Sequence, residues 1–287
     1  MSSSSGLNPH AQTGFANSAA YDQHRPSFPA KSVEELLENV RVLSNTGARV
    51  VDLAAGTGKF TELLARRHEQ FQVLAVEPHA DMRRVLEEKK LNGVEVMDGV
   101  AAKMPLEDES VDAVIAAQAF HWFANMDSLK EIHRVLQMHG AFGMIWNIED
   151  YNKPKSYEAS TTWEQKLNDL VWSFDDNQPR FRHQQWRKIF DEQIESTPWS
   201  ITAKANPLFA LPLGEHIERW SQWLSKEALW SRFSTLSQIA VLDGEERERV
   251  KKIFDDAVNG HDVETNEKGE VALHGMTISV WTTKIPA

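Results

Sequence analysis

Between residues 48 and 147 the chain repeats one pattern: a short run of Val, Ile, Leu and Ala, then a stretch with apolar residues at helical spacing. Strands are expected at 48–53, 72–77, 94–97, 111–117 and 141–147. The intervening FTELLARRHE, ADMRRVLEEKK and MDSLKEIHRVLQ read as helices, and Gly140 stands where the last of them is expected to end. This alternation makes βαβ units and a mostly parallel sheet, because each strand returns through a helix laid on the sheet. The fold class is therefore α/β. After Asp150 the texture changes to polar helical stretches rich in tryptophan. IESTPWSITAKA and VALHGMTISVWTTK are expected as two late strands, with helices such as GEHIERWSQWLSKEALWSRF and GEERERVKKIFDDAV between them.

The first unit carries the most chemistry. VVDLAAGTGKF, 50–60, runs from a β-branched strand through a turn of alanines and glycines into a helix. A phosphate-cradling loop of the Gly-x-x-x-x-Gly-Lys-Ser/Thr type is excluded: around Gly58 and Lys59 its first position is Leu53 and its last is Phe60. A dinucleotide fingerprint requires a third glycine where Thr61 stands, and Asp52 at the strand tip would repel a diphosphate. An acid followed by small residues suits a cation. S-adenosylmethionine carries an ammonium on its methionine end and no phosphate, so it matches this loop better.

The second strand ends at Glu77, about the distance downstream at which nucleotide folds place an acid for ribose hydroxyls. Two acceptor oxygens suit the 2′ and 3′ hydroxyls of one ribose. Met82 follows on the next turn as a soft apolar surface for an adenine face. The bland role for Glu77 is a solvated helix-capping acid.

Composition narrows the partners. A net charge of -11 gives no electrostatic reason for binding nucleic acid. Cysteine is absent, which removes disulfides, thiolate metal sites and a cysteine nucleophile together. No apolar run approaches the length of a membrane span. The polar start MSSSSGLNPHAQTG lacks the parts of a secretory signal and is expected to be a disordered arm over 1–18. A cytosolic enzyme or binding protein is expected.

These residues resemble the class I S-adenosylmethionine-dependent methyltransferases, in the small-molecule branch that includes trans-aconitate methyltransferases and fungal relatives. VVDLAAGTGKFTELLA is similar to the first motif, with Ala54 where many members have glycine, and AVEPHADMR to the second. MPLEDESVDAVIAAQAFHWF resembles the segment through the fourth strand, GAFGMIWNIED the fifth strand, and AAYDQHRPSFP an N-terminal Tyr-Asp-x-x-Arg-Pro arm. The match runs over 19–150. The family's adenine-binding aspartate departs to Val100 here, and Asp98 lies two places too early.

The resemblance implies a Rossmann-like class I sheet with a helical lid in the C-terminal half. It divides the chain into an arm at 1–18, a cofactor core with its N-terminal cap at 19–150, and lid helices plus the last strands at 151–287. It implies that Asp52, Ala54, Gly56, Thr57 and Gly58 form the cofactor loop, and that Glu77, Pro78 and Met82 hold the ribose and adenine side. The backbone near Val100 and Ala101 then holds the adenine in place of the missing aspartate. Arg25 is placed on the methionine carboxylate with Tyr21 folded over the same end, and Gln118 near the transferred methyl. The bland role for Tyr21 and Arg25 is to pin an N-terminal helix.

Methyl transfer needs alignment and exclusion of water, and needs a base only where the acceptor must lose a proton. His121 in QAFHWF is the first candidate for that base, with a loop-holding role equally open. His183, Tyr21 and Asp150 are weaker candidates. Of 10 tryptophans, all but Trp122 lie at or beyond Trp146, where a substrate cover is expected. Trp122, Trp146 and Asn147 are thus the candidate acceptor contacts, and an apolar or aromatic small molecule is the expected acceptor. Trp220, Trp223 and Trp230 equally suit the packed face of lid helices. Two other classes stay open: a methyltransferase acting on protein or RNA, and a cyclase that keeps the adenosyl ligand as scaffold.

Overall fold

The computed structural model describes residues 27–174, 178–193 and 207–286. The expected arm, Tyr21, Arg25 and the expected strand at 194–205 lie outside the described residues. In chain order the elements that matter here are α1 (Ala30–Asn39), β1 (Arg49–Leu53), α2 (Lys59–Ala65), β2 (Gln72–Val76), α3 (Ala80–Glu88), β3 (Val94–Met97) and β4 (Val111–Ala117). A 3-10 turn (Phe120–Trp122), α4 (Met126–Val135) and β5 (Leu136–Glu149) follow, then α5 (Thr162–Ser173) and α6 (Lys188–Asp191). The chain closes through β6 (Gly214–Leu224), α7 (Lys226–Phe233), α8 (Ser237–Ala240), α9 (Gly244–Val258) and β7 (Val271–Thr283).

Seven strands form one sheet in the order β3-β2-β1-β4-β5-β7-β6. The first five pair in parallel, and β7 runs antiparallel between β5 and β6. Strands β1, β2, β4 and the body of β5 are buried on both faces, which is why they read as near-continuous apolar runs, whereas the edge strand β3 is part-exposed. One face packs Val33, Leu36 and Leu37 of α1 and Phe60 and Leu64 of α2 against Val50, Ala113 and Ile145. The other packs Leu129, Ile132 and Val135 of α4 and Trp186 against Val51, Val114 and Trp146. A third cluster joins Trp163 and Leu167 of α5, Phe233 of α7 and Phe254 of α9 to Val271 and Leu273 at the start of β7.

Two expectations are corrected. GEHIERWSQWL is not helical: it is the edge strand β6, paired with β7 over its whole length. Two reciprocal glycine–tryptophan pairs fix that register. Trp220 lies opposite Gly275 and Trp281 opposite Gly214, and a Cβ built on either glycine would come within 2.5 Å of the facing indole. A flat ring over a bare backbone fills the space a side chain would otherwise need. Helix α4 ends at Val135, so Gly140 lies inside β5 and not at a helix end.

Candidate functional site

Strand order reverses between β1 and β4, and in open α/β sheets that switch point opens a crevice at the carboxyl strand ends. Asp52 reaches this edge on β1, in register with Ala75 and Ile115. Its side chain is 1% exposed. Thr61 from α2 donates to Oδ2 at 2.6 Å, whereas the buried Oδ1 has no hydrogen-bond partner among the described residues. Burial pushes the carboxyl up to about 7, the Thr61 hydroxyl opposes the shift, and the nearby Glu77 charge adds to it.

Glu77 follows the last residue of β2 and is buried. Its carboxylate is not a solvated cap. It accepts from the Gly56 amide and from the His79 amide, each at 2.8 Å, and so ties the β1 loop to the start of α3. Burial raises its pKa, with those two amides pulling the other way.

The loop between them turns through three left-handed residues, with φ of 58° at Ala54, 59° at Gly56 and 87° at Gly58. Gly58 caps α2, and a Cβ there would lie 2.2 Å from Leu86. Ala54 carries the same backbone sign without glycine's freedom. An L-residue pays roughly 1–2 kcal/mol for this conformation, part of which glycine's unfolded-state entropy takes back. Ala54→Gly is expected to stabilise the fold by up to about 1 kcal/mol in urea unfolding.

Two lobes of one cleft open on this loop and share Ala54. The first, about 530 Å³ with the solvent at its mouth, is walled by Phe28, Asp52, Gly56, Thr57, Ala117 and Gln118. The second, about 730 Å³ on the same measure, is walled by Pro78, Gly99, Val100, Ala101, Phe123 and Asp127 among others. Each lies within the range of small-ligand pockets. Asp52 and Gln118 thus share one lobe, and Pro78, Val100 and Ala101 the other. Asp98 turns away to Arg83 at 3.0 Å and is mostly exposed.

Other expected contacts fall elsewhere. Met82 is buried beneath the loop, its sulfur 3.8 Å from where a Gly56 Cβ would sit, and does not line either lobe. Trp146 is fully buried, with its ring centroid 4.8 Å from those of both Phe181 and Trp186. It belongs to the core, not to a pocket wall. Asn147 spends its side chain on structure: Oδ1 accepts from Thr277 at 2.6 Å and Nδ2 donates to the Ser27 carbonyl at 3.1 Å. Its own carbonyl accepts from the Gln118 amide group at 2.8 Å. Asp150 is buried and accepts from the Ser160 amide, and His183 packs beside Trp172. Trp122 alone of the three acceptor candidates is part-exposed, its ring 5.1 Å from His121.

Sequence reasoning missed Phe28, Phe123, Asn125 and Asp127 as cleft walls. A signal existed for two of them. Asn125 caps α4 by accepting from the Ser128 amide at 2.9 Å, and an asparagine just before an apolar periodic run, with an acid such as Asp127 in the first turn, marks such a start.

A model described as a methyltransferase domain matches residues 51–144, which hold every wall of this cleft named above except Phe28. An uncharacterized methyltransferase-like protein of Schizosaccharomyces pombe is 32% identical over 238 residues, covering 83% of this chain and 82% of its own. A second methyltransferase of that yeast is 29% identical over 272 residues, covering 93% and 95%. The YcgJ protein of Bacillus subtilis shares the fold at a TM-score of 0.55 and 17% identity, over 90% of this chain and all of that one. On this fold and these relatives, the chain belongs to the methyltransferase family and carries the Rossmann-like class I methyltransferase sheet.

Proposed function

We propose that the protein transfers a methyl group from S-adenosylmethionine to a small metabolite. The observation that carries the cofactor is the buried Asp52 oxygen in the wall of the first lobe, which has no partner among the described residues. A buried carboxylate oxygen calls for a cation or a donor, and the ammonium of the methionine end provides both. A relative in Saccharomyces cerevisiae, 28% identical over 142 residues, carries S-adenosylmethionine dependence in its name.

The residues present fit the rest of that ligand. Glu77 keeps a second lone pair on each oxygen after its two amide bonds, enough for two ribose hydroxyls. Pro78, Val100, Ala101 and Phe123 offer an apolar slot for a planar base. Arg25 and Tyr21 hold the methionine carboxylate in this scheme, with Gln118 beside the methyl. The ligand supplies an electrophilic methyl on a sulfonium sulfur. Gln118, fixed by its bond to the Asn147 carbonyl, then aligns the reacting end while Phe28 in the same wall keeps water away.

An acidic chain and a cleft of small-ligand dimensions support a small acceptor over a macromolecule. Helices α5, α7 and α9 act as its cover, on the strength of their separate apolar cluster. Trp146, Trp163 and Trp186 are core, so the aromatic contacts assigned to the acceptor are the cleft-wall Phe28 and Phe123 and the part-exposed Trp122. Release of S-adenosylhomocysteine against a metabolite panel tests this function, and turnover only with protein or RNA overturns it.

The Asp52 assignment has a pH signature. In the folded chain the carboxyl is pushed up to about 7, against 3.8 when exposed, so it is protonated over part of the neutral range. An incoming ammonium favours the carboxylate, so binding expels a proton and affinity rises as pH climbs through 7. It falls again above about 8 as the ligand's α-amine deprotonates. Folding has the opposite slope: the raised pKa contributes stability fully present below about 4 and lost as pH rises through 7. Calorimetry with S-adenosylhomocysteine in buffers of differing ionisation enthalpy is expected to show the proton released. Asp52→Asn is expected to remove both the release and the acid limb.

A further inference from the structure

Strand β6 is the outer edge of the sheet beyond β7, at the opposite end from β3. It pairs with β7 over eleven residues without a bulge, and among the described residues no main-chain hydrogen bond reaches its other side. An edge of that length offers a row of N–H and C=O groups to another strand. Proteins commonly blunt such edges with a proline, a bulge or a very short strand. None of these falls within β6, and Pro212 lies before its first residue. Its alternate residues Glu215, Ile217, Arg219, Ser221 and Trp223 are all exposed. Ile217 and Trp223 are two of the four large apolar side chains exposed among the described residues.

What guards this edge is charge, and the charge is spaced for one register. Two copies of a strand pair antiparallel about a two-fold axis normal to the sheet. That axis has to pass through a residue, because opposed side chains must share a face. Centred on Glu218 or Arg219, it sets like charges directly opposite, which is unfavourable. Centred on His216 it sets Glu215 against Ile217, and centred on Trp220 it sets Glu215 and Arg219 opposite serines. Centred on Ile217 it sets Glu215 opposite Arg219 on both sides of the axis and closes Ile217 against its own copy, with His216 opposite Glu218 on the other face. Within the chain Glu215 pairs with Arg187, His216 with Glu35 and Glu218 with Lys31, whereas Arg219 has no ion pair among the described residues.

From this pattern we infer that the occupant of the β6 edge is a second copy of this chain, paired antiparallel about Ile217 so that one sheet runs through both molecules. The contact is isologous: each copy gives and receives the same groups. Main-chain groups of the two edges supply the ladder, Ile217 the apolar centre and the Glu215–Arg219 pairs the register. Because the strands run antiparallel across the axis, the carboxyl ends of β1 and β4 point in opposite directions in the two copies. Strands β5 and β7 stand between β4 and the axis strand, so the pairing leaves both clefts open. The inference does not rest on methyl transfer.

Charge exchange tests the register by sedimentation. The unaltered chain is expected to sediment at twice the chain mass and to dissociate on dilution. Arg219→Glu sets a carboxylate against Glu215 of the other copy twice per dimer, and is expected to weaken self-association by about tenfold or more. Glu215→Lys does the same with positive charges. Mixed in equal amounts, the two variants present opposite charges at both positions and are expected to associate as the unaltered chain does. Recovery in the mixture also shows that each variant is folded.

The chain has no cysteine, so one introduced at the axis reports the register directly. Directly opposed Cα atoms of an antiparallel pair are about 4.5–5.5 Å apart, inside the reach of a disulfide. Ile217→Cys is expected to give a disulfide-linked dimer in air, the two thiols passing their hydrogens to oxygen. Ser221→Cys stands four residues from the axis, about 27 Å from its own copy, and is expected to give none. A chain that stays monomeric at every concentration overturns the inference. So does a dimer in which both charge variants associate as tightly as the unaltered chain, or one in which Ser221→Cys cross-links and Ile217→Cys does not, since the contact then lies elsewhere.

Discussion

Glu77→Ala is expected to weaken S-adenosylmethionine binding by about 2–4 kcal/mol, roughly 30- to 1000-fold. The buried carboxylate gathers the Gly56 and His79 amides on one side, and on the proposed reading takes two ribose hydroxyls on the other. Removing it deletes two charged hydrogen bonds to the ligand. It also leaves the Gly56 amide without its acceptor, which loosens the left-handed loop. A ligand series separates these two effects. The unaltered protein should bind S-adenosylhomocysteine much more tightly than its 2′-deoxy and 3′-deoxy analogues, whereas the variant should no longer discriminate among them. Discrimination retained in the variant would move the ribose contact to another residue, and unchanged affinity throughout would remove Glu77 from the site.

Arg232→Met is expected to cost about 3–5 kcal/mol of stability, because it leaves a buried carboxylate without its partner. Arg232 of α7 and Glu149 at the end of β5 are each 4% exposed and meet at 2.9 Å. A second guanidinium nitrogen donates to Gln222 of β6 at 3.0 Å, and the group lies 5.7 Å from the Trp220 ring. One side chain thus ties a covering helix to the end of one strand and to the edge strand of the sheet. The expected loss corresponds to a fall in Tm on the order of 10 °C. The double variant Glu149→Gln, Arg232→Met should recover a large part of it, since no unpaired charge then remains. A double variant no better than the single one would mean that the guanidinium acts through packing over Trp220.

The strands and the turn that form the cleft were legible in the sequence because they are built from local rules. A β-branched run, small residues with positive φ and a following amphipathic helix form a strand, loop and helix whatever surrounds them, and Asp52 and Glu77 stand at strand ends by that count alone. Even the unusual Ala54 shows in the sequence as an alanine among turn glycines, though its left-handed backbone needed the structure.

Beyond Asp150 the local rules compete, and tertiary contacts decide. GEHIERWSQWL places Trp220 and Trp223 three apart, as a helix face would, yet it also alternates; eleven residues of antiparallel pairing with β7 select the period of two. Trp223 is consequently 41% exposed on the outer edge. Trp146 ends an apolar strand, and nothing local says which neighbours its ring meets. Phe181 and Trp186, thirty-five and forty residues further along, fold onto it, bury it and turn its N–H to His121. Asn147 likewise looked available for an acceptor until Thr277 and Ser27, from opposite ends of the chain, took both of its polar atoms. The sequence alone determined that Asp52 and Glu77 stand at neighbouring strand ends beside the turn, because strand, turn and helix are set by neighbours in the chain. Which side chains remain free to meet the acceptor was decided only by tertiary structure, because hydrogen-bonding capacity is spent on whatever partner the fold brings near.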